Sequence, residues 1–334
     1  MKNRQITFLG AGNIATALAV HLARQGQAIK LYCIEPDVEK QINLEHCNDK
    51  YLAGIKLPVA ISASGDLAQS LKDARLVLVA VPSKAVLQVI KQARPFLHTK
   101  TTVAFISKGL DPVSLQPIAI AAQKLLPKGL RSRICILGGP AIGAEVVKGT
   151  PMAFIVAGKD KASRQEVARL LTGGNVKAAQ SDDLMGVGLA AALKNAYAIA
   201  LGFCDGLQYP TNAKAFVVTM CVSEMAGMMY KAGAHPKTAP SLAGLGDLLV
   251  TGLSPHGRNR KYGERLVRAN TNDPKRLGLT TVEGIAAADL GVKLAKRLKA
   301  KAPLLSAIQK GIHRAAGFHL PFVDYINNLK LDLI

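Results

Sequence analysis

The sequence predicts an α/β domain with a mostly parallel sheet, followed by an all-α domain, and two observations carry this prediction. Over the first half of the chain, short β-branched apolar runs alternate with helical patterns, which is typical of a parallel sheet flanked by helices. From about Asp182 onward the strand pattern disappears and long helical patterns follow. We therefore place one domain over residues 1–185 and a second, all-helical domain over residues 186–334.

The individual elements follow from two periodicities. A strand is predicted where a short apolar run is bounded by turn residues, and a helix where apolar residues recur every three or four positions. The predicted strands cover residues 5–9, 28–34, 59–62, 76–81, 102–107, 134–137 and 153–156. The predicted helices cover residues 13–24, 36–44, 68–72, 84–93, 115–126, 184–205, 213–232, 282–299 and 303–315.

Length and composition indicate a globular protein. With 334 residues, 49% of them hydrophobic and 19% charged, the chain can form two sizeable cores, and disorder is excluded. Five cysteines lie far apart without a CxxC pair, so neither a disulfide framework nor a zinc site is indicated. A reducing cytoplasm fits this pattern best.

The net charge of +21 is unusual and attracts nucleic acid, anionic membrane surfaces or acidic metabolites. The lysines and arginines are spread along the chain, there is no Trp, and no recognised nucleic-acid-binding motif places aromatic residues among the basic ones. We therefore expect no specific nucleic-acid partner, while weak association with anionic surfaces stays open.

The N-terminus resembles a signal peptide, because the basic residues 1–4 precede an apolar run. We reject this interpretation, since Gly10 and Gly12 split the run and the apolar spacing after Gly12 is helical. No uninterrupted apolar stretch of about eighteen residues is present, so no membrane span is expected.

The first predicted strand and helix are joined by Gly10-Ala11-Gly12-Asn13-Ile14-Ala15, a match to the pattern G-x-G-x-x-G/A. Gly10 permits the tight turn, Gly12 lets a pyrophosphate approach the backbone, and the small Ala15 lets the helix pack on the strand. A Gly-rich turn without a ligand is the alternative. The strand before the turn and the helix after it favour a dinucleotide site in a Rossmann-type domain.

Glu35 follows the second predicted strand, where a carboxylate would accept hydrogen bonds from the adenosine ribose hydroxyls. This favours NAD over NADP. No arginine ends the strand, although Lys30 and the high net charge leave NADP open. A surface carboxylate before Pro36 is the alternative.

A segment of the second domain, residues 242–263, places one carboxylate, Asp247, near Thr251 and several cations. Gly244 and Gly246 would let the backbone approach a partner around Asp247. The donors that suit a phosphate are Arg258, Asn259, Arg260 and Lys261. The segment therefore predicts an anion site beside an acid/base group, and a solvated basic loop is the alternative.

Further stretches complete a family pattern. They are NDKYLAGIKLP (48–58), SKGL (107–110), GGPAIGAEVVKGTPMA (138–153) and ALKNAYAIALGFCDGL (192–207). With the GAGNIA turn, GLGDLLVT and GRN, in this order and spacing, the chain resembles the NAD(P)-dependent glycerol-3-phosphate dehydrogenases from about residue 5 to at least residue 320. The resemblance implies a homodimer that interconverts sn-glycerol 3-phosphate and dihydroxyacetone phosphate, feeding glycerophospholipid synthesis.

The resemblance implies an acid/base lysine in a K-N pair on the first helix of the second domain, which Lys194 and Asn195 match. A ketone reduced by hydride develops alkoxide character, so its site needs a cation and a proton donor. A lysine supplies both where burial and nearby positive charge lower its pKa, and Lys108 is the expected neighbour. Asp247 is expected to orient Lys194, and Thr251 to hold the carbinol oxygen. A solvated mid-helix lysine is the alternative, but the neighbours of Lys194 are apolar.

The resemblance also implies a set of binding residues and no metal site. Substrate binding is expected at Lys108, Gly139, Ala141, Lys194, Asp247, Gly257, Arg258 and Asn259. Cofactor binding is expected at Gly10, Gly12, Asn13, Ile14, Glu35, Lys108, Gly143, Arg258 and Glu283. Arg258 and Asn259 match the family's phosphate-binding pair, since a planar guanidinium suits two phosphate oxygens. A plain carboxylate at a helix start is the alternative for Glu283.

The chain departs from the family pattern near the substrate and the cofactor. Ala141 and Gly257 stand where serines are expected, so two hydroxyl donors are missing. The other departures are Ile14, Ala15, Gly188, Met220 and Cys221. Together they indicate a divergent member, in which the affinity is altered or the substrate is a related phosphorylated hydroxy compound. A dehydrogenase of the same architecture for another hydroxy acid or ketone, and a non-catalytic protein that binds dinucleotide or polyanions, are the alternatives.

Overall fold

The structure, a computed structural model, describes residues 5–255 and 257–329. The basic residues 1–4 of the rejected signal pattern lie outside the described residues. The chain forms two compact units, one comprising residues 1–108 and 116–188 and the other comprising residues 109–115 and 189–334. The predicted domain division at residue 185 stays a prediction, because compactness does not test whether each part folds independently.

The first unit contains a sheet of eight strands within the described residues. They are β1 (Gln5–Leu9), β2 (Ile29–Tyr32), β3 (Ile61–Ser64), β4 (Ala74–Val79), β5 (Thr102–Phe105), β6 (Ile134–Gly138), β7 (Met152–Ala157) and β8 (Val176–Ser181). Their order is β3-β2-β1-β4-β5-β6-β7-β8. Only the β6–β7 pair is antiparallel, so the predicted mostly parallel sheet is confirmed.

The strand order reverses at β1, which lies between β2 and β4. Ligands of open α/β sheets bind at such a switch point, outside the carboxyl ends of the strands. Ile6, Phe8 and Leu78 are fully or almost fully buried, because helices cover both faces of a parallel sheet. This burial explains why the strands were recognisable as continuous apolar runs.

The helices of the first unit follow the strands in the order expected for parallel crossovers. They are α1 (Asn13–Arg24), α2 (Pro36–Lys40), α3 (Asp49–Leu52), α4 (Leu67–Leu71), α5 (Val86–Ala93), α6 (Ile118–Gln123), α7 (Gly143–Val147) and α8 (Lys161–Leu171). The predicted helix over residues 36–44 is divided, since a π-type turn at Gln41–Glu45 follows α2.

Several predicted bounds in this unit are wrong, and two of them have a visible physical cause. The strand expected over residues 59–62 lies at Ile61–Ser64, because Val59 is 84% exposed and the Ile61 amide bonds the Pro58 carbonyl in a turn. The helix expected from residue 115 begins at Ile118, since Leu115 has a φ of 52°, outside the helical region. The sequence analysis also missed α3, α7, α8 and β8. Val176 is the only buried residue of β8, so the apolar pattern of this strand is weak.

From Leu184 onward the described chain is helical, which confirms the predicted all-α second part. Its helices are α9 (Leu184–Gly206), α10 (Thr211–Lys231), α11 (Asp247–Leu253), α12 (Arg258–Ala269), α13 (Glu283–Leu298), α14 (Pro303–Ile312) and α15 (Leu320–Asn328). By length and composition α9 could cross a membrane, but 94% of its most apolar window is buried inside the protein. A helix that is apolar all round is typical of a protein core.

Glycines bring α9 and α12 into backbone contact. A Cβ on Gly202 would lie 2.1 Å from the Arg260 carbonyl oxygen, and a Cβ on Gly263 would lie 2.2 Å from the Ile199 carbonyl oxygen. Real Cβ atoms do not approach this closely, so the crossing requires glycine at both positions. At the start of α12, Asn259 bonds Asn195, the residue that follows Lys194 on α9.

Candidate active site

The turn after β1 allows a ligand to come close to the backbone. Gly10 has a φ of 113°, and a Cβ on it would lie 2.9 Å from the Ala80 carbonyl oxygen, so glycine is required. A Cβ on Gly12 would meet nothing within 4 Å, which leaves open space at the N-terminus of α1. No side chain of the described residues caps this N-terminus. Uncapped N–H groups beside open space fit the pyrophosphate of a dinucleotide.

The start of α3 holds this turn in place. The Asn48 Nδ2 group donates to the Ala11 carbonyl at 2.9 Å and to Thr16 Oγ1 at 2.8 Å. The Asn13 Nδ2 group donates to the Tyr51 carbonyl at 2.6 Å. These three bonds fix the turn against residues 48–51.

Asn13 and Gly143 lie together, as expected of two predicted cofactor-binding residues. A Cβ on Gly143, the first residue of α7, would lie 2.2 Å from Asn13 Oδ1. Glycine at residue 143 therefore leaves room for the Asn13 side chain, which also holds the turn. Ile14 packs against the core of the first unit.

Glu35 lies three residues after the last residue of β2 and directly precedes α2, in extended conformation. Its Oε2 accepts a hydrogen bond from the Tyr51 hydroxyl at 2.7 Å, and its Oε1 forms an ion pair with Lys50. The Lys50 ammonium, followed by the Tyr51 hydroxyl, holds the pKa of the Glu35 carboxyl below its usual range. Glu35 is therefore ionised at neutral pH, as a ribose-binding carboxylate must be.

Three predicted substrate residues belong to the first unit. Gly139 has a φ of 137°, and a Cβ on it would lie 2.8 Å from the Ala153 carbonyl oxygen, so the backbone itself requires glycine there. Ala141 is half-buried and packs against the core of this unit. Lys108 is half-buried shortly after β5.

The second unit contains a buried lysine with a carboxylate and a hydroxyl. The Lys194 side chain is 8% exposed and that of Asp247 is 1% exposed. Lys194 Nζ lies 2.7 Å from Asp247 Oδ1 and 2.6 Å from Thr251 Oγ1. The Thr251 hydroxyl donates to the Asp247 carbonyl at 2.7 Å, so its lone pair faces the ammonium. Such a buried charge persists only when it is paired, and here a carboxylate pairs it.

The carboxylate reaches Lys194 because of the turn before α11. A π-type turn at Leu242–Gly246 leads directly into α11, which begins at Asp247. A Cβ on Gly244 would lie 2.0 Å from the Ala239 carbonyl oxygen. The close approach predicted at Gly244 is thus made by the protein's own backbone. Thr251 lies one helical turn after Asp247 on α11, which places both groups on one face.

A chain of amide hydrogen bonds links α9, α12 and α13. Asn259 Nδ2 donates to Asn195 Oδ1 at 3.0 Å, and Asn259 Oδ1 accepts from the Gly284 amide at 2.9 Å. A Cβ on Gly284 would lie 2.5 Å from the Asn195 carbonyl oxygen. The two asparagines expected beside the substrate are therefore in contact with each other.

The start of α12 presents Arg258 and Asn259 differently. Arg258 is exposed, whereas Asn259 is buried. Gly257 precedes the helix, and a Cβ on it would lie 2.2 Å from the Thr251 carbonyl oxygen. The serine expected at this position therefore cannot be accommodated by this backbone. Glu283 is half-buried and begins α13, directly before Gly284.

The structure brings together Lys194, Asp247 and Thr251, and separately Asn195 and Asn259. The predicted cofactor residues Gly12, Asn13 and Gly143 surround one turn. Sequence reasoning missed the roles of Asn48, Lys50, Tyr51 and Gly284. The first three lie within the stretch NDKYL, which the family pattern singled out without indicating their contacts. Within the described residues, no three His, Cys, Asp or Glu side chains gather as a metal site.

Comparisons with known proteins show which family the sequence matches. The family model described as NAD-dependent glycerol-3-phosphate dehydrogenase N-terminus matches residues 5–164, and that of the C-terminus matches residues 183–318. The glycerol-3-phosphate dehydrogenase [NAD(P)+] of Bacillus subtilis is 34% identical over 309 residues, covering 92% of this chain and 89% of the relative. That of an Anaeromyxobacter species is 35% identical, covering 92% and 93%.

A solved structure is similar over nearly the whole chain. The glycerol-3-phosphate dehydrogenase of Coxiella burnetii superposes with a TM-score of 0.89 at 29% identity, covering 97% of this chain and 99% of that one. The enzyme of Saccharomyces cerevisiae, at 21% identity and a TM-score of 0.82, shares the fold.

Proposed function

Since the chain belongs to the NAD-dependent glycerol-3-phosphate dehydrogenase family, it is an NAD(P)-dependent oxidoreductase, and we propose that Lys194 carries its proton chemistry. The reaction interconverts sn-glycerol 3-phosphate and dihydroxyacetone phosphate. The observation that supports the role of Lys194 is its buried contact with Asp247 and Thr251.

Reduction of the ketone requires a proton at its carbonyl oxygen. The nicotinamide cofactor, when bound, supplies the hydride to C2 of the ketone. Lys194 polarises the carbonyl oxygen and gives it a proton as negative charge develops there. Asp247 orients the ammonium and balances its charge. Thr251, whose own proton is donated to the Asp247 carbonyl, would accept a hydrogen bond from the carbinol hydroxyl. Lys108 keeps its expected role as a nearby positive charge.

We assign the phosphate of the substrate to the start of α12. The exposed guanidinium of Arg258 supplies two parallel donors, and the N-terminus of the helix supplies backbone N–H groups. Asn259 donates one amide hydrogen to Asn195, and we assign its second amide hydrogen to the phosphate. Asn195 thus supports the phosphate site from the helix of Lys194. Gly139, Ala141 and Gly257 keep the substrate contacts that the resemblance gives them.

The cofactor site is assigned to the first unit. The N-terminus of α1, at Gly12, Asn13 and Ile14, would hold the pyrophosphate, with Gly10 shaping the turn and Gly143 allowing close approach. Glu35 would accept hydrogen bonds from the adenosine ribose hydroxyls, which would favour NAD over NADP. Arg258 and Glu283 keep the cofactor contacts that the resemblance gives them.

The cellular setting is also proposed. We assign the enzyme to the cytoplasm as a homodimer that feeds glycerophospholipid synthesis, with residues 1–185 as the dinucleotide-binding domain and 186–334 as the substrate domain. All five cysteines are free. Burial raises the pKa of the Cys135 and Cys204 thiols to about 12, so both stay protonated and unreactive at neutral pH, which suits a reducing compartment. We expect no specific nucleic-acid partner.

One assay tests the proposal. Absorbance at 340 nm is followed with dihydroxyacetone phosphate and either NADH or NADPH, and unphosphorylated dihydroxyacetone serves as the comparison substrate. We expect rapid oxidation of NADH with the phosphorylated ketone alone. Equal turnover of the unphosphorylated ketone would favour a dehydrogenase for another hydroxy acid or ketone, and no oxidation with either would favour a binding protein.

The Arg258→Ala variant tests the phosphate site. Loss of a charge-assisted contact worth about 1.5–3 kcal/mol should raise KM for dihydroxyacetone phosphate at least about tenfold. Arg268→Ala is the matched control, because Arg268 is exposed on the same helix and pairs only with Glu264 and the Asp205 carbonyl among the described residues. An unchanged KM in Arg258→Ala contradicts the assignment.

A further inference from the structure

Four side chains at the end of β2 form a charged group that we call the Glu35 cluster: Glu35, Asp37, Lys50 and Tyr51. Lys50 pairs with Glu35 and lies 3.6 Å from Asp37 Oδ2. The Lys50 ammonium also lies 5.8 Å from the centre of the Tyr51 ring. The side chains of Glu35 and Lys50 are 32% and 46% exposed, so both can be reached by a ligand.

The backbone that carries Lys50 and Tyr51 is fixed to the dinucleotide turn. The Tyr51 carbonyl accepts the bond from Asn13, and Asn48 bonds the Ala11 carbonyl. The backbone of residues 48–51 therefore has a defined position relative to Gly12 and Asn13.

The charges of the cluster oppose a phosphate. Two carboxylates, Glu35 and Asp37, face one ammonium, Lys50, so the net charge of the cluster is −1 when all three are ionised. A 2′-phosphate at this position would meet the Glu35 carboxylate, whereas two ribose hydroxyls could donate to it. Lys50 is paired with Glu35 and is therefore not available to bind another anion.

No arginine ends β2, and Lys30 lies within that strand, so Lys50 is the cation that the structure places beside Glu35. We infer that Lys50 is the specificity-determining residue of the adenosine site, a latent ligand for the 2′-phosphate of NADP that Glu35 keeps engaged. This inference rests on the proposed cofactor role of the first unit. It implies that neutralising Glu35 turns the site toward NADP, provided that Lys50 is present.

The test is a set of dissociation constants. NADH and NADPH are titrated into the wild type and the variants Glu35→Gln, Glu35→Gln/Lys50→Met and Glu35→Gln/Lys56→Met, with nicotinamide fluorescence as the readout. Glu35→Gln should lower the Kd of NADPH at least about tenfold, since one charge-assisted contact is gained and a repulsion is removed. Adding Lys50→Met should weaken NADPH binding at least about fivefold relative to Glu35→Gln alone.

Lys56→Met is the matched control, because Lys56 is an exposed cation of the same segment whose ammonium bonds the Glu45 carbonyl. It should leave the Kd of NADPH in the Glu35→Gln background within about twofold. The inference is overturned if Glu35→Gln does not tighten NADPH, or if Lys50→Met leaves the gain intact.

Failure of the inference differs from failure of the proposed function. If the wild type binds neither NADH nor NADPH, the cofactor role of the first unit is wrong, and the inference falls with it. If the wild type binds NADH and oxidises it with dihydroxyacetone phosphate while the variants do not respond as stated, the proposed function stands and Lys50 is not the determinant.

Discussion

Gly257 is the residue where the departure from the family pattern has a physical cause. A serine hydroxyl is expected there, yet a Cβ would lie 2.2 Å from the Thr251 carbonyl oxygen and 3.3 Å from that of Ser254. The start of α12 therefore lies against Thr251, near the end of α11. The same helix begins at Asp247, the other partner of Lys194. Glycine at this position allows a closer approach of the two helices than serine would.

Replacing Gly257 by Ser should not restore a phosphate donor. The new Cβ would push the backbone of α12 from Thr251, and overpacking of this kind costs about 1–3 kcal/mol. We expect a lower Tm by circular dichroism together with a higher KM for dihydroxyacetone phosphate. Gly129→Ser is the control, because a Cβ there meets nothing within 4 Å. A lower KM for dihydroxyacetone phosphate in Gly257→Ser would contradict this account, because it would show that the backbone accommodates serine and that the hydroxyl binds the substrate.

Among the elements, the crossing of α9 and α12 connects the acid/base residue to the phosphate site. Gly202 and Gly263 permit this crossing, and the Asn195–Asn259 hydrogen bond also joins the two helices. Since Lys194 belongs to α9 and Arg258 begins α12, the distance between proton donor and phosphate ligand depends on this packing.

The Gly202→Ala variant tests that dependence. Its methyl group would lie 2.1 Å from the Arg260 carbonyl oxygen, so α12 must move, at a cost of about 1–3 kcal/mol. We expect a lower free energy of unfolding in urea and a higher KM for dihydroxyacetone phosphate. Gly227→Ala on α10 is the matched control, since open space surrounds it and alanine should stabilise the helix by about 1 kcal/mol. Equal behaviour of the two variants would contradict the role of the crossing.

The start of α14 is held by a buried carboxylate. Glu224 on α10 accepts the amides of Leu304 and Leu305 and the Tyr197 hydroxyl of α9. Burial outweighs these hydrogen bonds and raises the pKa of the Glu224 carboxyl from 4.5 to about 7. Glu224 is thus a titratable group shared by three helices.

A pH dependence of stability follows from this raised pKa. Between pH 4.5 and 7 the folded state keeps a proton that the unfolded state has lost, so the contribution of Glu224 is present below pH 4.5 and is lost as the pH rises to about 7. The difference amounts to about 3 kcal/mol. Unfolding in urea should show wild type losing stability relative to Glu224→Gln over this range. A difference that is constant with pH would contradict the raised pKa.

For the whole molecule, periodicity was sufficient for the fold class and most elements. Buried strands such as β1 and β4 appear as apolar runs because helices cover both faces of the sheet. β8 was missed, since it buries only Val176, and the start of α6 was misplaced because the positive φ of Leu115 has no sequence signature. The local pattern of apolar residues indicates burial, but it does not indicate the backbone conformation of single residues in the connections.

The sequence was sufficient to predict which residues belong to the candidate site, but not which of them contact each other. Lys194 and Asp247 were paired through the family resemblance, and the structure places them 2.7 Å apart. The Asn195–Asn259 bond and the Lys50–Glu35 pair depend on how distant segments meet, which one sequence does not report. The exclusion of a Cβ at Gly257 likewise depends on the position of the Thr251 carbonyl.

The most direct measurement is kcat of Lys194→Ala with dihydroxyacetone phosphate and NADH, alongside the Kd of NADH and the Tm. Loss of the general acid should lower kcat at least about a hundredfold, while the Kd of NADH stays within about threefold. Because removing one partner of a buried pair can cost about 3–5 kcal/mol, Asp247→Asn is measured with it as a variant that keeps the lysine. A folded Lys194→Ala enzyme with near-wild-type kcat would contradict the assignment of Lys194 as the acid/base.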